Sequence, residues 1–123
     1  MKQFIVIAGI SGFLAVALGA FGAHFIKNRL TADMFAIYQT GVQYHFYHTL
    51  ALLGVGVLAY WMPDAAALKW SGWLFISGIV IFSGSLYALS LTGIRVLGAV
   101  TPIGGLAFLA GWVMLIIAAL KQS

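Results

Sequence analysis

Cysteine is absent from this chain. That excludes a disulfide framework, a thiolate nucleophile and any cysteine-ligated metal. Charge is scarce as well. Asp, Glu, Lys and Arg make 7% of the 123 residues, where soluble domains carry about 25%. The acids number two, Asp33 and Asp64, and both fall near expected loops. Paired-carboxylate catalysis is therefore excluded, and so is the mid-membrane acid that couples proton-driven export. The basic residues are scattered (Lys2, Lys27, Arg29, Lys69, Arg95, Lys121). With no clustered basic face, nucleic acid is not an expected partner.

What fills the chain is hydrocarbon: 63% of residues are hydrophobic and the mean hydropathy is +1.09. Several apolar runs reach the roughly 18–20 residues needed to cross a bilayer. The expected class is an all-α membrane protein. It is read as one domain over 1–123, a four-transmembrane-helix bundle. The helices are placed at about 4–26, 42–61, 68–91 and 102–120, with an interfacial extension from 31 before the second.

Local signals set those boundaries. Lys2, an apolar run and Gly19-Ala20-Phe21-Gly22-Ala23 imitate a secretory leader. The run continues past Ala23, so it is read as a retained first helix. Ala8, Gly12, Ala15, Gly19 and Ala23 stack on one face as a close-packing stripe. Thr31 is a candidate N-cap, with Asp33 in the first turn. A helix from there to Trp61 would be about 46 Å long, more than the hydrocarbon needs. Residues 31–41 are therefore expected to form an interfacial turn, bent near Gly41. Pro63 stops the second helix, and Trp61 suits the interfacial aromatic belt. Thr101-Pro102 reads as N-cap and first helical position of the fourth. Gly84, Gly104 and Gly105 are expected packing positions alongside Gly12 and Gly19.

The polar residues concentrate in Tyr44-His45-Phe46-Tyr47-His48. Four crossings put the first and third loops on one side, which gathers His24, His45, His48, Tyr87, Arg95 and Thr101 in one leaflet half. At 100° per residue, Tyr38, Gly41, His45, His48, Thr49, Gly56 and Ala59 share one face. Gln43 and Tyr47 point the other way, toward head groups or a second copy. His48 lies about 20 Å and His45 about 24 Å from Trp61, at the hydrocarbon edge.

Such a nest supports four readings. Histidines at i and i+3, completed by His24, could share a metal or shape a haem site. They could form a proton-sensitive switch. With Arg95, Tyr87 and the hydroxyls they could recognise or pass a small polar or anionic molecule or ion. They could also do no more than bond helix to helix, or support a membrane partner. No serine sits in a nucleophile motif with a placed base, so no enzyme is expected, and no cofactor is assigned. The partners expected are the lipid bilayer, a small polar or anionic ligand, and room for homo-oligomerisation. Lys2, Lys69 and Lys121 on one side balance Lys27, Arg29 and Arg95 on the other. The expected placement is multi-pass in the cell inner membrane with both termini cytoplasmic.

Four stretches carry a resemblance: Gly19-Ala20-Phe21-Gly22-Ala23-His24; Tyr38-Gln39-Thr40-Gly41-Val42-Gln43-Tyr44-His45 with His48; Phe82-Ser83-Gly84-Ser85-Leu86-Tyr87; and Thr101-Pro102-Ile103-Gly104-Gly105. In this order they resemble the domain-of-unknown-function 423 family of small bacterial membrane proteins, which has small eukaryotic transmembrane relatives. The resemblance covers essentially the whole chain. It implies a four-helix inner-membrane protein and carries no catalytic assignment.

Overall fold

A computed structural model describes residues 2–122. Among them the chain forms four helices and no strand: α1 (Lys2–Arg29), α2 (Ala32–Leu58), α3 (Ala66–Thr92) and α4 (Arg95–Leu120). Three of these, α1, α3 and α4, are long and apolar enough to cross a membrane. Three of the expected four spans thus stand by length and composition, and α2 is not among them. α2 is 27 residues long, but Gln39, Gln43, Tyr44, His45, Tyr47 and His48 dilute its hydrocarbon character.

α2 is also the helix on which α1 and α3 assemble, while α4 packs mainly on α3. It runs antiparallel to α1: Gly56 lies against Phe4 and Ile5, Gly12 against Thr49, and Gly19 against Val42. Its other side faces α3, where Gly41 meets Tyr87 and Leu86. A helix sheltered by neighbours can carry polar groups that lipid would not tolerate. The predicted face of α2 is buried throughout, at Tyr38, Gly41, His45, His48, Thr49, Gly56 and Ala59, while Gln43 and Tyr47 are exposed.

The exposed surface is apolar. Phe13 is 75% exposed, Leu106 66% and Leu120 78%. Large hydrocarbon side chains on the outside of a satisfied helical fold mark lipid, not water, as the solvent. Tyr60, Trp61 and Trp70 are exposed around the α2–α3 turn, where an interfacial aromatic belt belongs.

α3 and α4 interlock by ring and gap. Phe108 of α4 lies over Gly78, Phe82 of α3 over Gly104, and Phe75 over Gly111. Ser71 Oγ adds a 2.8 Å bond to the Gly111 carbonyl. Lipid tails are as apolar as leucine, so association here rests on such close fitting and on interhelical hydrogen bonds. At the other edge Phe4 seats its ring against Gly72 and meets Trp73 edge-on. This joins the start of α1 to α3.

Several local expectations change. α2 is continuous through Gly41, with no bent interfacial turn over 31–41. The Gly41 carbonyl is held by Ser83 Oγ at 2.8 Å and the missing side chain admits Tyr87, so glycine serves close approach there. The Thr31 cap is present: its hydroxyl accepts from the Met34 amide. Thr101 is the first residue of regular α-helix, not the cap, and its hydroxyl is turned to Ser85 at 2.6 Å. The small stripe of α1 ends at buried Gly22, and Ala23 is exposed. Four-residue steps advance about 400°, so the stripe drifts, and a π turn over Gly22–Ile26 rotates it further. A second π turn, Ile79–Ser83, interrupts α3.

Candidate functional site

The polar residues separate into two clusters on the buried face of α2, one turned toward α1 and α3 and one toward α4. The first centres on His45, at the midpoint of α2, thirteen residues from each end of Ala32–Leu58. Its Nε2 lies 3.0 Å from Ser11 Oγ and its Nδ1 2.9 Å from Tyr87 Oη. Ser11 Oγ is in turn 2.6 Å from Thr49 Oγ1. Thr49 donates to the His45 carbonyl at 2.7 Å. The chain Tyr87–His45–Ser11–Thr49 therefore ties α3, α2 and α1 together.

Beside it opens a lateral cleft of about 430 Å³ between α1 and α3. Ile7, Ile10 and Leu14 form one wall, Ile76, Ile79 and Val80 the other, and Ser11, His45 and Tyr87 close its inner end, their polar atoms engaged in the hydrogen-bonded chain. Gly84 also lines it, and a Cβ built there meets nothing within 4 Å. Gly84 thus opens the cleft and is not a packing position as expected. Gly12, Gly19, Gly104 and Gly105 all face a neighbouring helix. The π turn of α3 supplies Ile79 to the wall; such turns recur at functional sites.

The second cluster centres on His48. Its Nδ1–H donates to the Tyr44 carbonyl at 2.9 Å, and its Nε2 accepts the Trp112 indole N–H at 3.0 Å. Its ring stacks on Phe108 with centroids 3.5 Å apart and planes 9° from parallel. No cleft residue belongs to this cluster.

The remaining nest residues lie elsewhere. His24 is exposed on the π turn closing α1, edge-on to Phe25. Arg95 is exposed at the start of α4. Thr101 bonds Ser85 at the α3–α4 end. The expected gathering of six residues is replaced by a His45–Tyr87 pair, a separate His48 centre and three peripheral groups. The depth estimate also moves, because His45 is level with Ser11, well inside α1 and not at the loop end. Both nitrogens of His45 and both of His48 are engaged by protein groups, and among the described residues no three His, Cys, Asp or Glu side chains converge on a metal position.

The family called "Protein of unknown function (DUF423)" matches residues 18–105, the span that contains His45, His48 and Tyr87. The "UPF0382 membrane protein YwdK" of Bacillus subtilis is 48% identical over 98% of both chains. A UPF0382 membrane protein of Staphylococcus saprophyticus is 45% identical over 98% of this chain and 99% of its own. One from Staphylococcus haemolyticus is 46% identical over 98% of each. The chain belongs to the DUF423 family. It is a small membrane protein of a family without an assigned activity. No solved structure matches it significantly.

In this DUF423 protein, sequence reasoning missed Ser11 and Trp112 as site residues. Ser11 carried a signal: it is the sole hydroxyl residue between Phe4 and Ile26. In an apolar span a lone hydroxyl must find a partner. Trp112 carried no such signal, since an indole in a membrane helix serves equally well at the lipid surface.

Proposed function

We propose that this DUF423 protein is a non-enzymatic binding protein. It spans the bacterial inner membrane four times with both termini cytoplasmic, and it takes a small molecule from the bilayer into the α1–α3 cleft. The volume of about 430 Å³ falls in the range of small-molecule sites, which pair apolar walls with a few placed polar groups. The observation that carries the reading is the cleft floor. His45, Tyr87 and Ser11, bonded to one another, close the inner end of otherwise aliphatic walls. α2 is proposed as the fourth span because its neighbours bury His45, His48 and Thr49, leaving Gln39, Gln43, Tyr44 and Tyr47 on its exposed side. The His48 cluster, with both ring nitrogens bonded and the ring stacked on Phe108, supports a structural role for that half.

The test uses Gly84→Leu, which fills the cleft from a position where a Cβ meets nothing within 4 Å. Native mass spectrometry of wild-type protein released from nanodiscs should show a retained small molecule. Gly84→Leu should lose it while keeping its melting temperature. Equal retention by both proteins, or none by either, would count against the reading.

A further inference from the structure

The hydrogens of the His45 cluster can be placed one by one. A carbonyl oxygen only accepts, so the Thr49 hydroxyl hydrogen lies on the His45 carbonyl. Thr49 Oγ1 has no second hydrogen, so in its 2.6 Å contact with Ser11 it is the acceptor and Ser11 the donor. Ser11, its hydrogen spent, must accept from His45, which places a proton on Nε2. Neutral His45 then has a bare Nδ1, which accepts from the Tyr87 hydroxyl. The order is Tyr87 to His45 to Ser11 to Thr49 to the His45 carbonyl, and every hydrogen is used within the chain.

The chain therefore has lone pairs and no hydrogen left over for a ligand. Tyr87 Oη and Ser11 Oγ retain acceptor capacity, and His45 has none to spare. Resting on the cleft reading above, we infer that the ligand is a bilayer-soluble alcohol. Its long apolar body lies along Ile10, Leu14 and Val80, and its hydroxyl donates to Tyr87 Oη. A ketone or a carboxylate brings only acceptors. To bind one, Tyr87 must turn its hydrogen outward and His45 must move its proton to Nδ1. Ser11 must turn to Nε2, and Thr49 must leave the carbonyl for Ser11. One hydrogen bond is lost in the reversal. An unpaired polar contact in a buried site is the strongest basis for discrimination that binding offers. Thr49 touches no ligand in this scheme. It is a positioning residue that sets the direction of the chain.

The test compares dodecanol, dodecanone, dodecanoate and dodecane at equal mole fraction in micelles of the full-length protein, reading apparent affinity from thermal shift. Wild type should bind dodecanol at least about tenfold more tightly than the other three. Thr49→Val removes the anchor, lets Ser11 turn to His45 without loss, and should bring dodecanone to within about threefold of dodecanol. Nitrogen-15 NMR of the imidazole gives a readout that packing alone would not move: Nε2–H in wild type, with Nδ1–H appearing in Thr49→Val. If dodecanone, dodecanoate or dodecane matches dodecanol in wild type and Gly84→Leu abolishes binding, the alcohol inference is wrong and the cleft reading stands. If no probe shows a shift that Gly84→Leu removes, both fall. Wild-type His45 protonated at Nδ1 would overturn the inference regardless of binding.

Discussion

Trp112 aims its indole N–H at His48 Nε2 across 3.0 Å, and this contact fixes the histidine as much as it fixes the helices. Because Nδ1 already donates to the Tyr44 carbonyl, Nε2 must carry the lone pair. A proton there would set two donors face to face.

The two histidines should therefore be opposite tautomers in one protein. His48 is expected as Nδ1–H and His45 as Nε2–H. Selective nitrogen-15 labelling of the imidazoles checks both at once, since protonated and bare ring nitrogens have well separated shifts. Two like tautomers would contradict the hydrogen-bond order in one of the two clusters.

Trp112→Phe keeps a ring in the α2–α4 interface and removes the donor. The expected loss of stability is about 1 kcal/mol, in the range of interhelical hydrogen bonds in bilayers. Phe108→Ala removes the ring that stacks on His48 and covers Gly78, and should lose about 3–5 kcal/mol. Unfolding in bicelles measures both, and a smaller effect for Phe108→Ala than for Trp112→Phe would refute the ranking.

Two glycines should respond in opposite directions to the same change. A Cβ at Gly104 collides with the backbone of Phe82, so Gly104→Ala must push α3 and α4 apart and lower the melting temperature. A Cβ at Gly84 meets nothing within 4 Å, so Gly84→Ala should stabilise by about 0.5–1 kcal/mol through helix propensity. Equal losses at both positions would show that the cleft beside Gly84 is closed in the bilayer.

The absence of cysteine makes single-cysteine labelling clean. Four spans require Lys2→Cys, Lys69→Cys and Lys121→Cys to react with an impermeant maleimide from one side, and Lys27→Cys and Arg95→Cys from the other. Cytoplasmic termini put the first group inside. A three-span arrangement, with α2 not crossing, would place Lys2 and Lys121 on opposite sides.

Much of the fold was legible because its signals are local or periodic. The Thr31 cap, the halt before Pro63 and the buried face through His45, His48 and Thr49 follow from short-range chemistry and a 3.6-residue period. The family resemblance was carried by contiguous stretches, and the profile match over 18–105 agrees with it. The nest was less legible. Loop-side reasoning grouped His24, Arg95 and Thr101 with His45 by depth alone, and depth does not determine rotation. The two π turns, over Gly22–Ile26 and Ile79–Ser83, change the phase of α1 and α3 in a way that no regular period contains.

By itself the sequence determined the solvent, the class and the polar inventory: scarce charge and long apolar runs demand lipid, and the hydroxyls and imidazoles in those runs demand partners. Tertiary structure alone decided which partners they found. Ser11 meets His45 because Gly12 and Gly19 let α1 lie close along α2, and Tyr87 meets it because Gly41 leaves room for the ring. The cleft exists because α1, joined to α3 at Phe4, leaves Gly84 uncovered farther along. A hydrogen-bond direction is a property of the closed chain Tyr87–His45–Ser11–Thr49, and three helices must be assembled before that chain exists.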